Sequence, residues 1–208
     1  MYNTFMPIYL ACDLANGSDA YTTMLEALSD YHYNDPLVAS HVRIHLIGFS
    51  PEASLFGSLS RDSVESLTFP AIGQSDTTGY RALFELVAAS MEGEIRQAKI
   101  SRDRIFRPLL IVITKTSPSV GDEFRQTYQT LMSTKWHPSV MAISLSQGAA
   151  TTAARLATIA AFTASGIEPI TTLIREVMRD LHSSRAADDT SIRIPGYIEG
   201  LVRLKPLS

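Results

Sequence analysis

Five consecutive aliphatic residues, Leu109-Leu110-Ile111-Val112-Ile113, constrain the fold more than any other stretch of the chain. A strand that faces water on one side alternates apolar and polar residues. This run does not alternate, so it predicts a central strand of a parallel sheet, covered on both faces. A second run, Pro7-Ile8-Tyr9-Leu10-Ala11-Cys12, has the same character and ends at a lone carboxylate, Asp13. Small and polar residues then turn the chain into an amphipathic segment. That succession reads as a buried strand, a tight loop and the opening of a helix. In open α/β sheets ligands sit at the carboxyl ends of such strands, which makes Asp13 the first residue to ask about.

The rest of the chain repeats the pattern. Tyr21, Met24, Leu25, Leu28 and His32 share one helical face, predicting a helix from about Ser18 to Tyr31 that Asn34-Asp35-Pro36 stops. His41 to Phe49 reads as a strand. Ala53 to Leu55 and Glu65 to Thr68 are short strand candidates. Tyr80, Leu83, Phe84, Val87, Ala88 and Met91 predict a strong helix, with polar Glu94 to Arg104 as the connection after it. Further elements are a helix over Gly121 to Thr134, a strand over Val140 to Leu145 and a helix over Gly148 to Ala157. Thr158 to Thr163 reads as the last strand and Glu168 to His182 as a closing helix. The Ala/Thr-rich Gly148 to Ala157 segment implies close helix–sheet packing by small side chains. Strand–helix alternation throughout predicts a doubly wound, mostly parallel sheet with helices on both faces and one short antiparallel edge strand. Residues 1–184 form the domain. Residues 185–208 form a tail, polar over Ser183 to Ser191, that packs back through Ile194, Tyr197, Ile198, Leu201 and Val202 or docks on a partner.

Composition narrows the function. A formal charge of −3 and the absence of any Lys/Arg run give no footprint for nucleic acid or for an anionic membrane surface. No stretch approaches the ~20 apolar residues of a membrane-spanning helix. The single cysteine, Cys12, excludes an internal disulfide, fits a reducing compartment and reads as a buried small hydrophobe rather than a nucleophile. The simplest location is the cytoplasm. The chain lacks G-x-G-x-x-G, the Walker loop, G-x-S-x-G and the zinc-protease motif. His32, His41, His45, His137 and His182 lack metal-ligand spacing, and His41 and His45 read as surface residues. Trp136 reads as part of a packed loop, and Ser117 and Ser144 have no assignable base. Asp76-Thr77-Thr78-Gly79 reads as the cap of the following helix.

Three loops offer chemistry at the sheet rim: Asp13 to Asp19, Gly73 to Gly79, and Thr114 to Pro118. Here the chain resembles the von Willebrand factor A domain, and within that group the bacterial tellurium-resistance TerY-type proteins. The Pro7–Asp13 strand resembles the family's first strand, and Val42 to Phe49 with Glu52-Ala53 its second. Phe69-Pro70 to Thr77 with Ala82-Leu83 resembles its Thr-bearing loop, and Arg107-Pro108-Leu109 to Pro118 its fourth strand and loop. The likeness covers roughly residues 5 to 182.

The resemblance implies a metal-ion-dependent adhesion site, with the motif D-x-S-x-S, a Thr from a second loop and an Asp from a third. Asp13 matches the first Asp and Thr77 the Thr. Ala15 and Gly17 stand where the serines would be, and Lys115 where the third-loop Asp would be. A dication beside Lys115, at ~4 Å and an effective dielectric of ~20, meets roughly 8 kcal/mol of repulsion, about what Asp13 returns. The expectation is therefore a metal-free site without cofactor, in which Lys115 takes the ion's place and salt-bridges Asp13. The alternatives are that Lys115 points to solvent, or that Ser18, Asp19 or Asp76 rescues Mg²⁺ binding. The resemblance implies a non-catalytic module for protein partners, in a bacterial stress-response or conflict-type system. Its partner-binding rim would comprise Asp13, Ala15, Gly17, Ser18, Asp76, Thr77 and Lys115. Two other readings stand beside it: an enzyme acting on a nucleotide or phosphate, and a structural subunit docked through its tail.

Overall fold

The computed structural model describes residues 4–15, 17–60, 63–64, 78–119, 121–185 and 192–205. The two apolar runs become β1 (Thr4–Asp13) and β6 (Leu109–Thr114), paired in parallel at the centre of the sheet. Their alternate residues serve opposite faces. Ile8, Leu10, Cys12, Ile111 and Ile113 enter one core cluster; Tyr9, Ala11, Leu110 and Val112 enter the other. A strand buried on both faces gains nothing from alternation, which is why both runs are continuous.

The elements around them are α1 (Asp19–Asn34), α2 (Pro36–His41), β2 (Val42–Ser50), β3 (Glu52–Ser60), β4 (Ser63–Val64), α3 (Tyr80–Ser101) and β5 (Arg104–Ile105). After β6 come α4 (Phe124–Ser133), β7 (Ser139–Ser144), α5 (Gln147–Leu156), β8 (Ala160–Ala164), α6 (Ile167–Arg185) and β9 (Leu201–Leu204). Among the described residues the strand order is β4-β3-β2-β1-β6-β7-β8-β9, with β5 beside the start of β1. β1, β2, β6, β7 and β8 are parallel, while β3 and β9 run antiparallel at the two sides. Residues of α1, α2 and α6 pack on one face; residues of α3, α4 and α5 pack on the other. This is the doubly wound α/β architecture expected, and it brings the carboxyl ends of β1 and β6 side by side.

Several boundaries differ from expectation. α3 continues through the stretch read as a connection, because Met91 and Ala98 keep its face buried and Arg96 pairs with Glu92 one turn away. β3 runs nine residues rather than three, held by antiparallel pairing with β2 around an irregularity at Leu46/Ile47. Glu65 to Thr68 lie outside the described residues. β8 is followed by β9, so the tail packs back on the domain, and Ile192, Ile194, Ile198 and Leu201 cover the first cluster. The helical part of the polar stretch extends to Arg185; residues 186–191 lie outside the described residues. Ala149 and Ala153 are fully buried in α5, the close packing its composition implied. His41 ends α2 rather than standing in the strand. His45 is half-buried, stacked on Tyr9 at 5.0 Å, with Nε2 3.1 Å from Glu94. No described helix is long and apolar enough to cross a membrane.

Candidate functional site

Asp13 ends β1 and is completely buried. A buried carboxylate survives only where donors replace its water. Ala15 N donates to Oδ1 at 3.0 Å. Lys115 N at 2.9 Å and Thr116 N at 3.0 Å donate to Oδ2. The hydroxyls of Thr116 and Thr114 reach the same oxygen at 2.8 and 3.1 Å. Thr78 Oγ1, from the loop before α3, lies 3.4 Å from Oδ1 and is in close contact with Thr116 Oγ1. One carboxylate thus ties together the ends of β1 and β6 and the entry to α3. Tyr80 braces the assembly: its hydroxyl donates to the Thr116 carbonyl at 2.9 Å and sits 2.5 Å from Thr114 Oγ1.

The expected Lys115–Asp13 ion pair does not form. Lys115 meets Asp13 through its backbone N–H, at the bend where the chain leaves β6. The hydroxyls of Thr114 and Thr116 take the carboxylate, and the lysine side chain reaches the first loop instead. Its ammonium donates to the Gly17 carbonyl at 3.2 Å and lies 4.6 Å from the centre of the Tyr21 ring. Gly17 adopts φ +96°, a left-handed conformation that glycine takes without strain. Tyr21 in turn donates from its hydroxyl to the Asp13 carbonyl at 3.0 Å. The cation remains at the rim, held over the first loop rather than above the carboxylate.

The other sequence candidates fall as follows. Ala15 is fully buried and contributes only its N–H. Ser18 is half-buried at the start of α1 and makes no side-chain cap bond; Asp19 is exposed in the first turn. Asp76 and Thr77 lie outside the described residues. Among the described residues of that loop, the hydroxyl near Asp13 is that of Thr78. Cys12 is buried, and burial pushes its thiol pKa well up despite the nearby Lys115. It is a packed neutral thiol.

The cap of α3 also differs from expectation. Gly79 occupies the N-cap position and offers no side chain. Asp122, from the loop before α4, accepts from Tyr80 N at 2.9 Å and Arg81 N at 3.3 Å instead. A carboxylate there satisfies two orphan N–H groups and faces the positive helix end. Asp122→Ala is expected to lower stability by about 1–2 kcal/mol in urea unfolding. A change below a few tenths would mean water caps the helix equally well.

Further contacts fasten the rim to the helices behind it. Ser146 donates from Oγ to the Lys115 carbonyl at 2.6 Å and caps α5 by accepting from Ala149 N. Ser117 donates to the Gly148 carbonyl at 2.8 Å. Ser119 Oγ accepts from Thr78 N at 3.2 Å.

No protein-family model and no curated protein matches the chain by sequence. Solved structures do match by fold. Proximal thread matrix protein 1 from the mussel byssus, in its second crystal form, superposes with a TM-score of 0.57 at 14% identity, over 85% of this chain and 48% of that one. The same mussel protein with a zinc-occupied MIDAS motif gives 0.52 at 14% identity, over 88% of this chain and 46% of that one. The ArnB paralog VWA2 from Sulfolobus acidocaldarius matches at 0.47 and 11% identity, over 85% of this chain and 46% of its own length. The chain spans about half the length of these structures. The mostly parallel sheet, its flanking helices and the likeness to the mussel protein give the chain a von Willebrand factor A-type α/β fold, with Asp13 at the carboxyl end of its first strand.

Proposed function

We propose that the chain is a non-catalytic protein-interaction module whose adhesion-type rim operates without a metal ion. The observation that carries this reading is the state of Asp13: both oxygens are occupied by protein donors, with three hydrogen bonds of 3.0 Å or less on Oδ2 alone. Magnesium requires near-octahedral oxygens at about 2.0–2.1 Å. The donor set here does not suit that ion. Ala15 and Gly17 bring no side-chain oxygen, and a lysine stands in place of the third-loop carboxylate. The mussel protein's motif holds zinc, so the fold itself accommodates an ion. The difference lies in these residues.

Lys115 then supplies by fixed charge what an ion supplies elsewhere. One ammonium N–H is taken by Gly17, and the half-buried side chain keeps capacity for a charge-assisted hydrogen bond to a partner carboxylate. Two candidate nucleophiles among the described residues are already committed: Cys12 is buried, and the Ser117 hydroxyl donates to the Gly148 carbonyl. The bacterial stress-response setting, of the tellurium-resistance TerY type, rests on the sequence resemblance.

The test is affinity capture with the purified chain as bait. Partner capture is expected to be unchanged by EDTA and abolished by Lys115→Glu. The melting temperature should stay near wild type, since the side chain makes only one hydrogen bond and one ring contact. Capture that EDTA abolishes, or that Lys115→Glu leaves intact, would refute the reading.

A further inference from the structure

A second surface lies at the opposite end of the sheet. α3 runs for 22 residues and α4 for 10, so the last turns of α3 extend beyond their neighbour. The open wedge between them is a groove of about 640 Å³. Its floor is Ala88, Met91, Ile95, Leu131 and the indole of Trp136, and Lys99 and the paired Glu92 and Arg96 stand on its wall. The indole also borders a second cavity of about 530 Å³, whose lining includes Arg107 and Lys135.

Charge is segregated here in a way the sequence does not display. Exposed Arg102 and Arg104 follow Lys99 on the same end of the domain. The acids of the stretch are engaged: Glu92 with Arg96 at 3.0 Å, Glu94 with Arg43 and His45, and Asp103 with the Ser101 hydroxyl at 2.7 Å. Lys99, Arg102, Arg104, Arg107 and Lys135 enter no ion pair among the described residues. The helix dipole accounts for a cation in the last turn of α3, namely Lys99. It does not account for Arg104, Arg107 and Lys135, which stand on the entries to β5, β6 and β7. A protein of net charge −3 that sets unpaired Lys99 on this groove, and Arg107 and Lys135 on the cavity sharing its indole, is complementary there to an anionic, amphipathic ligand.

We propose that this groove takes an acidic amphipathic helix of a protein partner, with Trp136 as the central anchor. Helix-in-groove recognition places apolar residues at i, i+3, i+4 and i+7 into such a floor, and carboxylates beside them meet the cations on the walls. Trp136 is partly buried, and tryptophan is among the residue types enriched at interface hot spots. Single-stranded nucleic acid fits less well. Its bases need successive aromatic platforms, and this floor is aliphatic apart from one indole. The surface is separate from the Asp13 rim, so the two allow one chain to bridge two partners.

Trp136 is the only tryptophan, so its emission reports directly on the groove. The probe is a synthetic helix of about 16 residues with leucines on one face and glutamates flanking them. The control peptide carries lysine in place of glutamate, and an oligothymidylate of similar length serves as a second polyanion. The expected result is a saturable blue shift with the acidic peptide that weakens with salt. Affinity should fall at least tenfold in the Lys99→Glu/Lys135→Glu double variant, whose exposed positions leave the fold and its circular dichroism unchanged. No saturable response to the acidic peptide, an equal response to the lysine peptide, or binding of the oligothymidylate alone would overturn the proposal.

Discussion

Asp13→Ala will lower the unfolding free energy by about 3–5 kcal/mol, the scale of removing one partner from a buried charged network. The alanine takes away an acceptor and leaves behind the N–H groups of Ala15, Lys115 and Thr116 and the hydroxyls of Thr114 and Thr116. Each buried donor left without a partner costs about 1–3 kcal/mol before relaxation. The loop of Lys115 and Thr116 can open toward solvent and recover part of that, which keeps the total below the sum. For a chain of this length about 4 kcal/mol corresponds to a fall of roughly 8–16 °C in melting temperature. The loss should be the same in EDTA and in magnesium, because the carboxylate is stabilising as a hydrogen-bond hub. A fall that appears only in the presence of magnesium would assign the carboxylate to an ion instead.

Gly79→Ala should cost about 3 kcal/mol or more, for a different reason. A Cβ on Gly79 would stand 1.7 Å from the Pro51 carbonyl oxygen and 2.7 Å from its carbon. Both are backbone atoms, so no rotamer change relieves the overlap. Either the start of α3 or the turn between β2 and β3 must move, and overpacking of this kind typically costs 1–3 kcal/mol, occasionally more. Gly93→Ala in the same helix is the matched control. Nothing lies within 4 Å of its Cβ, so alanine there is expected to stabilise by about 0.5–1 kcal/mol through better helix propensity. Equal effects from the two substitutions in urea unfolding would show that Gly79 is not held against Pro51.

The two predictions mark what was legible in the sequence and what was not. Continuous apolar runs at Pro7–Cys12 and Leu109–Ile113 announce central parallel strands, because burial on both faces leaves no other composition. Asp13 was legible for the same reason: a charge ending such a run has to be held by something. Its partners were less legible. Thr78 and Asp122 reach their targets across 65 and 42 residues of chain, so local pattern carries no trace of them. That Ala15, Gly17 and Lys115 stand at positions which the family resemblance gives to oxygen ligands was readable in the sequence, but the direction of the lysine was not. Charge arithmetic placed its ammonium over Asp13. The bend after β6 turns the N–H groups of Lys115 and Thr116 onto the carboxylate, and the ammonium goes to Gly17 and Tyr21. The last turns of α3 were hidden by their polar composition, since a helix end facing an open groove needs few buried residues. The cations around Trp136 looked scattered along the chain, and only the winding of the sheet gathers them.

Metal-free operation of the rim is the claim on which the functional reading turns, and titration calorimetry tests it most directly. Mg²⁺ and Mn²⁺ are titrated into the purified wild-type chain and into Asp13→Asn at millimolar ion concentrations. The expected result is no heat of binding above dilution in either protein. One-to-one binding to the wild type that Asp13→Asn abolishes would contradict it.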